Sequence, residues 1–367
     1  MIKVHWFLPT GGDSRRLAGD GASQAGEGVE RHDSHRPATL SYLLQCAAVA
    51  DDLGFDGVLT PTGSQCEDAW VSTAALLGCT QRLKFMVAFR PSQVSPVLAA
   101  QMAATYQHMS GGRLLLNVVT GSADAEAHRY GDWLDKAQRY RQTDEFLTVM
   151  RGALSGTPLD FEGEFFNVKG ASIQNLPKSL PTIYFGGSSE AAGKVAAKHV
   201  DVYLTWGEPV ETVAEKIEWV KGLAREEGRE IKCGIRMHVI ARDNAEDAWR
   251  AADDLLVGVD DEMIQKAQTT LAGRGSVGQT RMLELAGGSR DKLIVGPNLW
   301  AGVSLVRGGA GTALVGSHDE IVERMEEYIA VGIDEFVFGG YPHVEEAYWF
   351  AEGVMPRLRA KNLLPAK

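Results

Sequence analysis

The chain has 367 residues, 44% of them hydrophobic and 23% charged, a balance that supplies a large core and excludes a wholly disordered chain. Its 37 lysines and arginines fall short of its 48 acids, giving a net charge of -11. That disfavours nucleic acid as the main partner, because neutralising phosphates needs a basic face.

The opening stretch "MIKVHWFLPT" enters a strand directly, without the apolar core of a signal peptide. No run reaches the ~20 apolar residues of a membrane span. Cys46, Cys66, Cys79 and Cys233 form no CxxC pair, which suits a reducing cytoplasm better than a disulfide framework. The expectation is a soluble, cytoplasmic protein with no membrane or nucleic-acid partner and no metal.

From there short apolar runs alternate with helix-period segments. In chain order the runs are "KVHWFLP", "GVLTP", "KFMVAFR", "RLLLNVVTG", "TIYFGG", "DVYLTW", "KCGIRMHVIA" and "EFVFGG". Between them, "TLSYLLQCAAVADDLG", "SPVLAAQMAATYQHMS", "VETVAEKIEWVKGLAREEG" and "HDEIVERMEEYIAVG" repeat apolar residues at three and four, the amphipathic signature. Strands alternating with helices argue for parallel pairing through right-handed crossovers. Eight such strands close a barrel, so the predicted fold is α/β, a (β/α)₈ TIM barrel. An open doubly wound sheet fits less well, since no GxGxxG follows the first strand.

Three segments exceed a minimal barrel, at about 11–37, 121–137 and 259–317. No clean linker separates them, so residues 1–367 read as one domain with insertions. Within the last insertion, "RGGAGT" has the backbone freedom of a loop that closes over a site.

Active sites of such barrels lie at the C-terminal strand ends. After the fifth strand, Gly187, Ser188 and Ser189 in "IYFGGSSEAAG" lead into a helix, whose free amides and two hydroxyls would bind an anion. Alternatively, Ser189 only caps that helix. In "GIRMHVI", residues 234–240, Arg236 and His238 share one face of the seventh strand. A buried charge is costly unless paired, and the strand holds no acid, so a bound anion is a natural partner. Carbonyls or distant acids would satisfy the pair equally. Cys66 stands at the expected start of a helix, which would lower its thiol pKa, or it merely packs. No G-x-S-x-G, P-loop or HExxH occurs. These residues give a barrel with a phosphate site and a second small-anion site, and by themselves no reaction.

The motifs "WFLPTGGD", "PTGSQCEDAW", "NVVTG", "YFGGSS", "VYLTWGEP", "GIRMHVI", "PNLWAGVSLVRGGAGTALVG" and "FGGYPHVEEAY" closely resemble the flavin-dependent alkanesulfonate monooxygenases, of the bacterial-luciferase-like barrel family. The resemblance runs in order from about residue 2 to about residue 358. It implies reduced FMN (FMNH2) delivered by a separate NAD(P)H-dependent FMN reductase, with O2 as co-substrate. The reaction it implies is C–S cleavage of an organosulfonate to sulfite and an aldehyde, in a homodimer or homotetramer. Carried over by residue, Cys66, Asn117, Thr120 and Tyr140 would contact the flavin. Its phosphate would sit at Gly187, Ser188 and Ser189. Trp206, Arg236, His238, Tyr341 and His343 would line the sulfonate pocket, with His343 at its floor. Arg307 would ride the mobile loop over the flavin, and Arg236, His238, Arg307 and Tyr341 would carry catalysis.

Two departures bear on substrate. Gly11 stands where the family has a histidine, and Ser64 where it has a charged residue. Opened volume and a polar first insertion favour a bulky hydroxylated sulfonate, such as sulfoquinovose, over a linear alkanesulfonate. A deazaflavin-dependent dehydrogenase on the same barrel is the more distant alternative.

Overall fold

The computed structural model describes residues 1–18, 35–121 and 123–366. Each predicted apolar run is a strand: β1 Lys3–Phe7, β2 Gly57–Thr60, β3 Lys84–Phe89 and β4 Leu114–Val118, then β5 Thr182–Gly186, β6 Val202–Trp206, β7 Lys232–Arg242 and β8 Glu335–Gly339. All eight pair in parallel with their sequence neighbours. The sheet closes where β1 meets β8, Lys3 opposite Glu335 and His5 opposite Val337. The predicted (β/α)₈ barrel is therefore the observed fold.

The helices begin and end on local signals. Leu40–Leu53 is capped by the Thr39 side chain and stopped by Gly54 at φ 88°, a left-handed turn that glycine adopts without strain. Pro96–Ser110 starts with proline in its first turn and Ser95 as cap, a pairing that satisfies donors the helix leaves open. Between helices and sheet lies the main core, with Trp6, Phe85, Phe185, Tyr203, Phe336 and Phe338 among its large members. Inside the barrel Phe7, Leu59, Met86, Leu115, Leu204 and Val337 fill a separate cluster. Strands buried on both faces have no polar side to show, which is why they read as unbroken apolar runs. Near the N-terminal end of the interior, the Glu335 carboxylate accepts from Lys3 Nζ at 2.7 Å and Tyr184 Oη at 2.7 Å, and lies 3.1 Å from His5 Nε2.

The insertions hold structure of their own. Residues 19–34 of the first lie outside the described residues. The second contains the helix Asp124–Arg129, and an unforeseen hairpin, Leu159–Glu162 with Asn167–Ala171, precedes β5. The third holds helices Asp261–Ala272 and Val277–Ala286 and three short strands. One of these bounds the glycine-rich stretch "RGGAGT", which itself stays a loop. Ala313–Ser317 runs parallel to the outer half of β7, Ala313 opposite His238 and Ser317 opposite Arg242, taking over the edge that β6 occupies as far as Arg236. The glycine-rich stretch is thus pinned at its C-terminal end, and only the part before Ala313 remains loop. Among the described residues no helix is long and apolar enough to cross a membrane.

Candidate active site

A cavity of about 380 Å³ opens at the C-terminal ends of the strands. Its floor takes one of the lining residues from each of six strands: Phe7 of β1, Leu59 of β2, Ala88 of β3, Asn117 of β4, Leu204 of β6 and Arg236 of β7. Alternation along a strand places these on the inner face.

The wall is strongly cationic in a chain that is acidic overall. Arg90, Lys136, Arg236, Arg274 and Arg307 line it, against one carboxylate, Glu126. Arg90 spends its charge on that acid at 2.8 Å. Arg236 does not: among the described residues no carboxylate pairs with its guanidinium, which lies over the Phe7 ring at 4.6 Å. Burial, and secondarily the Arg307 charge, push its pKa down to about 10. That remains far enough above neutrality to keep it a cation. Arg307 lies over the Tyr341 ring at 4.9 Å. A guanidinium with no carboxylate partner among the described residues, beside a second arginine in a cavity wide enough for a ligand, can accept an oxyanion.

The turn read from the sequence as an anion site is at the β5 end. The backbone is stripped of side chains here: a Cβ on Gly186 would come 2.6 Å from Leu204 O, and one on Gly187 would come 2.6 Å from Ala192 Cβ. Tyr203 Oη donates to Gly187 O at 2.7 Å and fixes the turn. Ser189 does cap the helix Glu190–His199, accepting from Ala192 N at 3.3 Å. Ser188 and Ser189 nonetheless line the cavity with Gly187, so capping and ligand binding are compatible here.

The luciferase-like monooxygenase family model matches residues 2–335. The chain belongs to the luciferase-like monooxygenase family. Solved structures share its fold at low sequence identity. A riboflavin lyase bound to modified FMN and riboflavin is 18% identical, with a TM-score of 0.82 over 100% of this chain and 93% of that one. A long-chain alkane monooxygenase is 19% identical, with a TM-score of 0.79 over 100% and 93%. The EDTA monooxygenase from Chelativorans sp. BNC1 is 18% identical, with a TM-score of 0.76 over 99% and 95%.

Within this luciferase-like barrel, the residues singled out from the sequence divide into two groups. Cys66, Asn117, Thr120 and Tyr140 line the cavity, as do Trp206, Arg236 and Arg307 and the Gly187–Ser189 turn. His238, Tyr341 and His343 stand behind the wall. The His238 ring stacks on Tyr341 at 5.3 Å, and its Nε2 lies 3.1 Å from Ala310 O. A carbonyl only accepts, so Nε2 carries the proton and Nδ1 is left as an acceptor. Burial first, then the charges of Arg236 and Arg307, hold this imidazole well below its usual pKa. The expected pair of cations on β7 is therefore one cation and one neutral ring.

His343, expected at the pocket floor, turns instead to a buried acid. Asp13 Oδ1 lies 2.9 Å from His343 Nδ1, and Asp13 also accepts from the His343 amide and from the Tyr42 hydroxyl. Burial raises the Asp13 pKa, but His343 and Tyr42 outweigh it and hold the carboxyl below its ordinary range. Cys66 also differs from expectation. Its helix starts only at Ala69, capped by Asp68, so no helix terminus acts on the thiol, and burial pushes its pKa up. Ser64 is exposed, outside the cavity, with its amide donating to Glu126 at 3.2 Å. Gly11 does line the cavity.

Sequence reasoning missed Lys136, Arg274 and Gln279, all on the wall. For Gln279 a signal existed: "SVGQ" has the S-x-x-Q spacing of a helix start, and Ser276 does cap the helix Val277–Ala286.

Proposed function

We propose that this monooxygenase is the oxygenase component of a two-component system that cleaves the C–S bond of an organosulfonate. FMNH2 and O2 are its co-substrates, a separate NAD(P)H-dependent FMN reductase supplies the reduced flavin, and sulfite and an aldehyde are released. The observation that carries this reading is Arg236: a buried guanidinium that no carboxylate pairs with among the described residues, facing a ligand-sized cavity beside Arg307.

The cavity suits FMN on the flavin side. The Cβ-free turn at Gly187, with Ser188, Ser189 and Tyr140 beside it, would hold the phosphate, and Asn117, Thr120 and Cys66 would contact the remainder. Reduced FMN, when bound, supplies the electrons for oxygen activation. This chain's own residues do the rest. Arg236 and Arg307 neutralise the sulfonate and the negative charge that grows as sulfite departs, a contribution of a few kcal/mol per well-placed donor. Trp206 walls the pocket on the β6 side. His238, neutral and backed by Tyr341, holds Ala310 and with it the glycine loop against the site, which limits the access of water. One atom of O2 ends on carbon as the aldehyde and the other leaves as water, so the balance closes.

For substrate, the bare Gly11 position in the cavity wall favours a bulky hydroxylated sulfonate such as sulfoquinovose over a linear alkanesulfonate. The test is sulfite release in the presence of an FMN reductase, NADH and O2, comparing sulfoquinovose with linear sulfonates of several lengths. No sulfite from any of them would overturn the reading. Gly11→His should then lower turnover of sulfoquinovose more than that of pentanesulfonate, because the imidazole fills cavity volume. An equal effect on both would remove the argument from size.

A further inference from the structure

We infer that the N-terminus of the helix Val277–Ala286, together with the Gln279 carboxamide, is a second polar subsite of the cavity, which takes the hydroxylated end of a substrate whose anionic end lies at Arg236. The inference rests on the sulfonate reading above and adds what selects among sulfonates.

The helix belongs to the insertion at 259–317, yet Ser276, Val277, Gly278 and Gln279 all line the barrel cavity. Ser276 satisfies the Gln279 amide, and the amides of Val277 and Gly278 have no acceptor within the helix. Gln279 itself is buried, at 3% exposure. Its Oε1 accepts from Gly309 N at 3.0 Å, while its Nε2 is buried without a partner among the described residues. Because Gly309 N–H can only donate, the oxygen must face it, and the amide orientation is fixed. What remains without a partner is a donor, on a residue that lines the cavity. Leaving a buried donor unsatisfied costs about 1–3 kcal/mol, so a ligand that accepts from it gains correspondingly.

Position links this donor to the anion seat. A Cβ on Gly278 would come 3.2 Å from the Trp206 ring, and one on Gly309 would come 3.6 Å from Arg236 Nη1. Trp206 and Arg236 are themselves opposite one another across β6 and β7. The subsite therefore adjoins Arg236, one residue layer away. Its groups are N–H donors, which match hydroxyl or ring oxygens and offer nothing to a methylene chain. A site built to bond a substrate oxygen discriminates strongly against an analogue that lacks it.

The experiment uses two variants of the full chain, Gln279→Met, which removes both halves of the amide, and Gln279→Glu, which keeps the acceptor for Gly309 and loses the donor. Sulfite release gives kcat/KM for sulfoquinovose and for pentanesulfonate, and anaerobic fluorescence quenching gives the Kd of reduced FMN. In both variants the sulfoquinovose-to-pentanesulfonate ratio should fall about tenfold or more, with reduced-FMN affinity nearly unchanged. If both substrates decline together and Gln279→Glu restores them, Gln279 only fastens the glycine loop, and the inference fails. It fails also if reduced-FMN affinity collapses, because the subsite then serves the flavin. Should the unmodified protein release no sulfite from either compound, the sulfonate reading falls first and this inference with it, a result distinct from the other two.

Discussion

Replacing Arg236 with alanine should lower sulfite release by roughly 10²–10³-fold in kcat/KM while leaving the Kd of reduced FMN close to that of the unmodified protein. The guanidinium enters the cavity from β7, while the turn proposed for the flavin phosphate lies at the end of β5, so the two losses should separate. Removing it also relieves a cost. The group is buried and repelled by Arg307, and among the described residues its contact with the Phe7 ring offsets only part of its desolvation, with no carboxylate to do the rest. Urea unfolding of Arg236→Ala should therefore show no loss of stability. Arg236→Lys gives the finer test. It keeps a charge but not the planar fork that grips two oxygens at once, and its activity should fall between alanine and arginine. Parallel loss of flavin binding and sulfite release in the alanine variant would mean that Arg236 holds the cofactor, and the sulfonate assignment would be wrong.

That arginine was legible in the sequence because it contradicts its surroundings. A charge on a strand otherwise made for the core stands out, and the alternation of residues fixes which face it takes. The eight strands were legible for the opposite reason, since burial on both faces leaves them uniformly apolar. Charge state was not legible. The face of His238 follows from its place on β7, but its neutrality rests first on burial, then on the charges of Arg236 and of Arg307, and burial and the approach of Arg307, 69 positions along the chain, come only from the fold. The Asp13–His343 contact is hidden in the same way: two short glycine-flanked motifs at opposite ends of the chain meet behind the cavity wall. The strand Ala313–Ser317 escaped notice because its apolar run follows a string of glycines. What makes it a strand is the unusual length of β7, whose outer half offers an edge that β6 has already left.

Glu335→Gln should cost about 3 kcal/mol of stability at pH 7, without touching the cavity. Glu335 begins β8 at the opposite end of the barrel interior and ties three strands: β1 through Lys3 and His5, β5 through Tyr184, and β8 itself. Burial alone would raise its pKa, but the hydrogen bonds and charges from His5 and Lys3 outweigh burial and hold it at about 2, against an ordinary value of 4.5. A difference of that size corresponds to about 3 kcal/mol, in line with what breaking a buried ion pair costs. The carboxyl ionises more readily in the folded chain than in the unfolded one. Its contribution is therefore complete above the ordinary carboxyl range, declines as the pH drops through 4.5, and is gone near pH 2. Urea unfolding followed by tryptophan fluorescence at pH 7, 5 and 4 should show the gap between Glu335→Gln and the unmodified protein narrowing as the pH falls. A gap that holds constant with pH would mean that the charge contributes nothing to it.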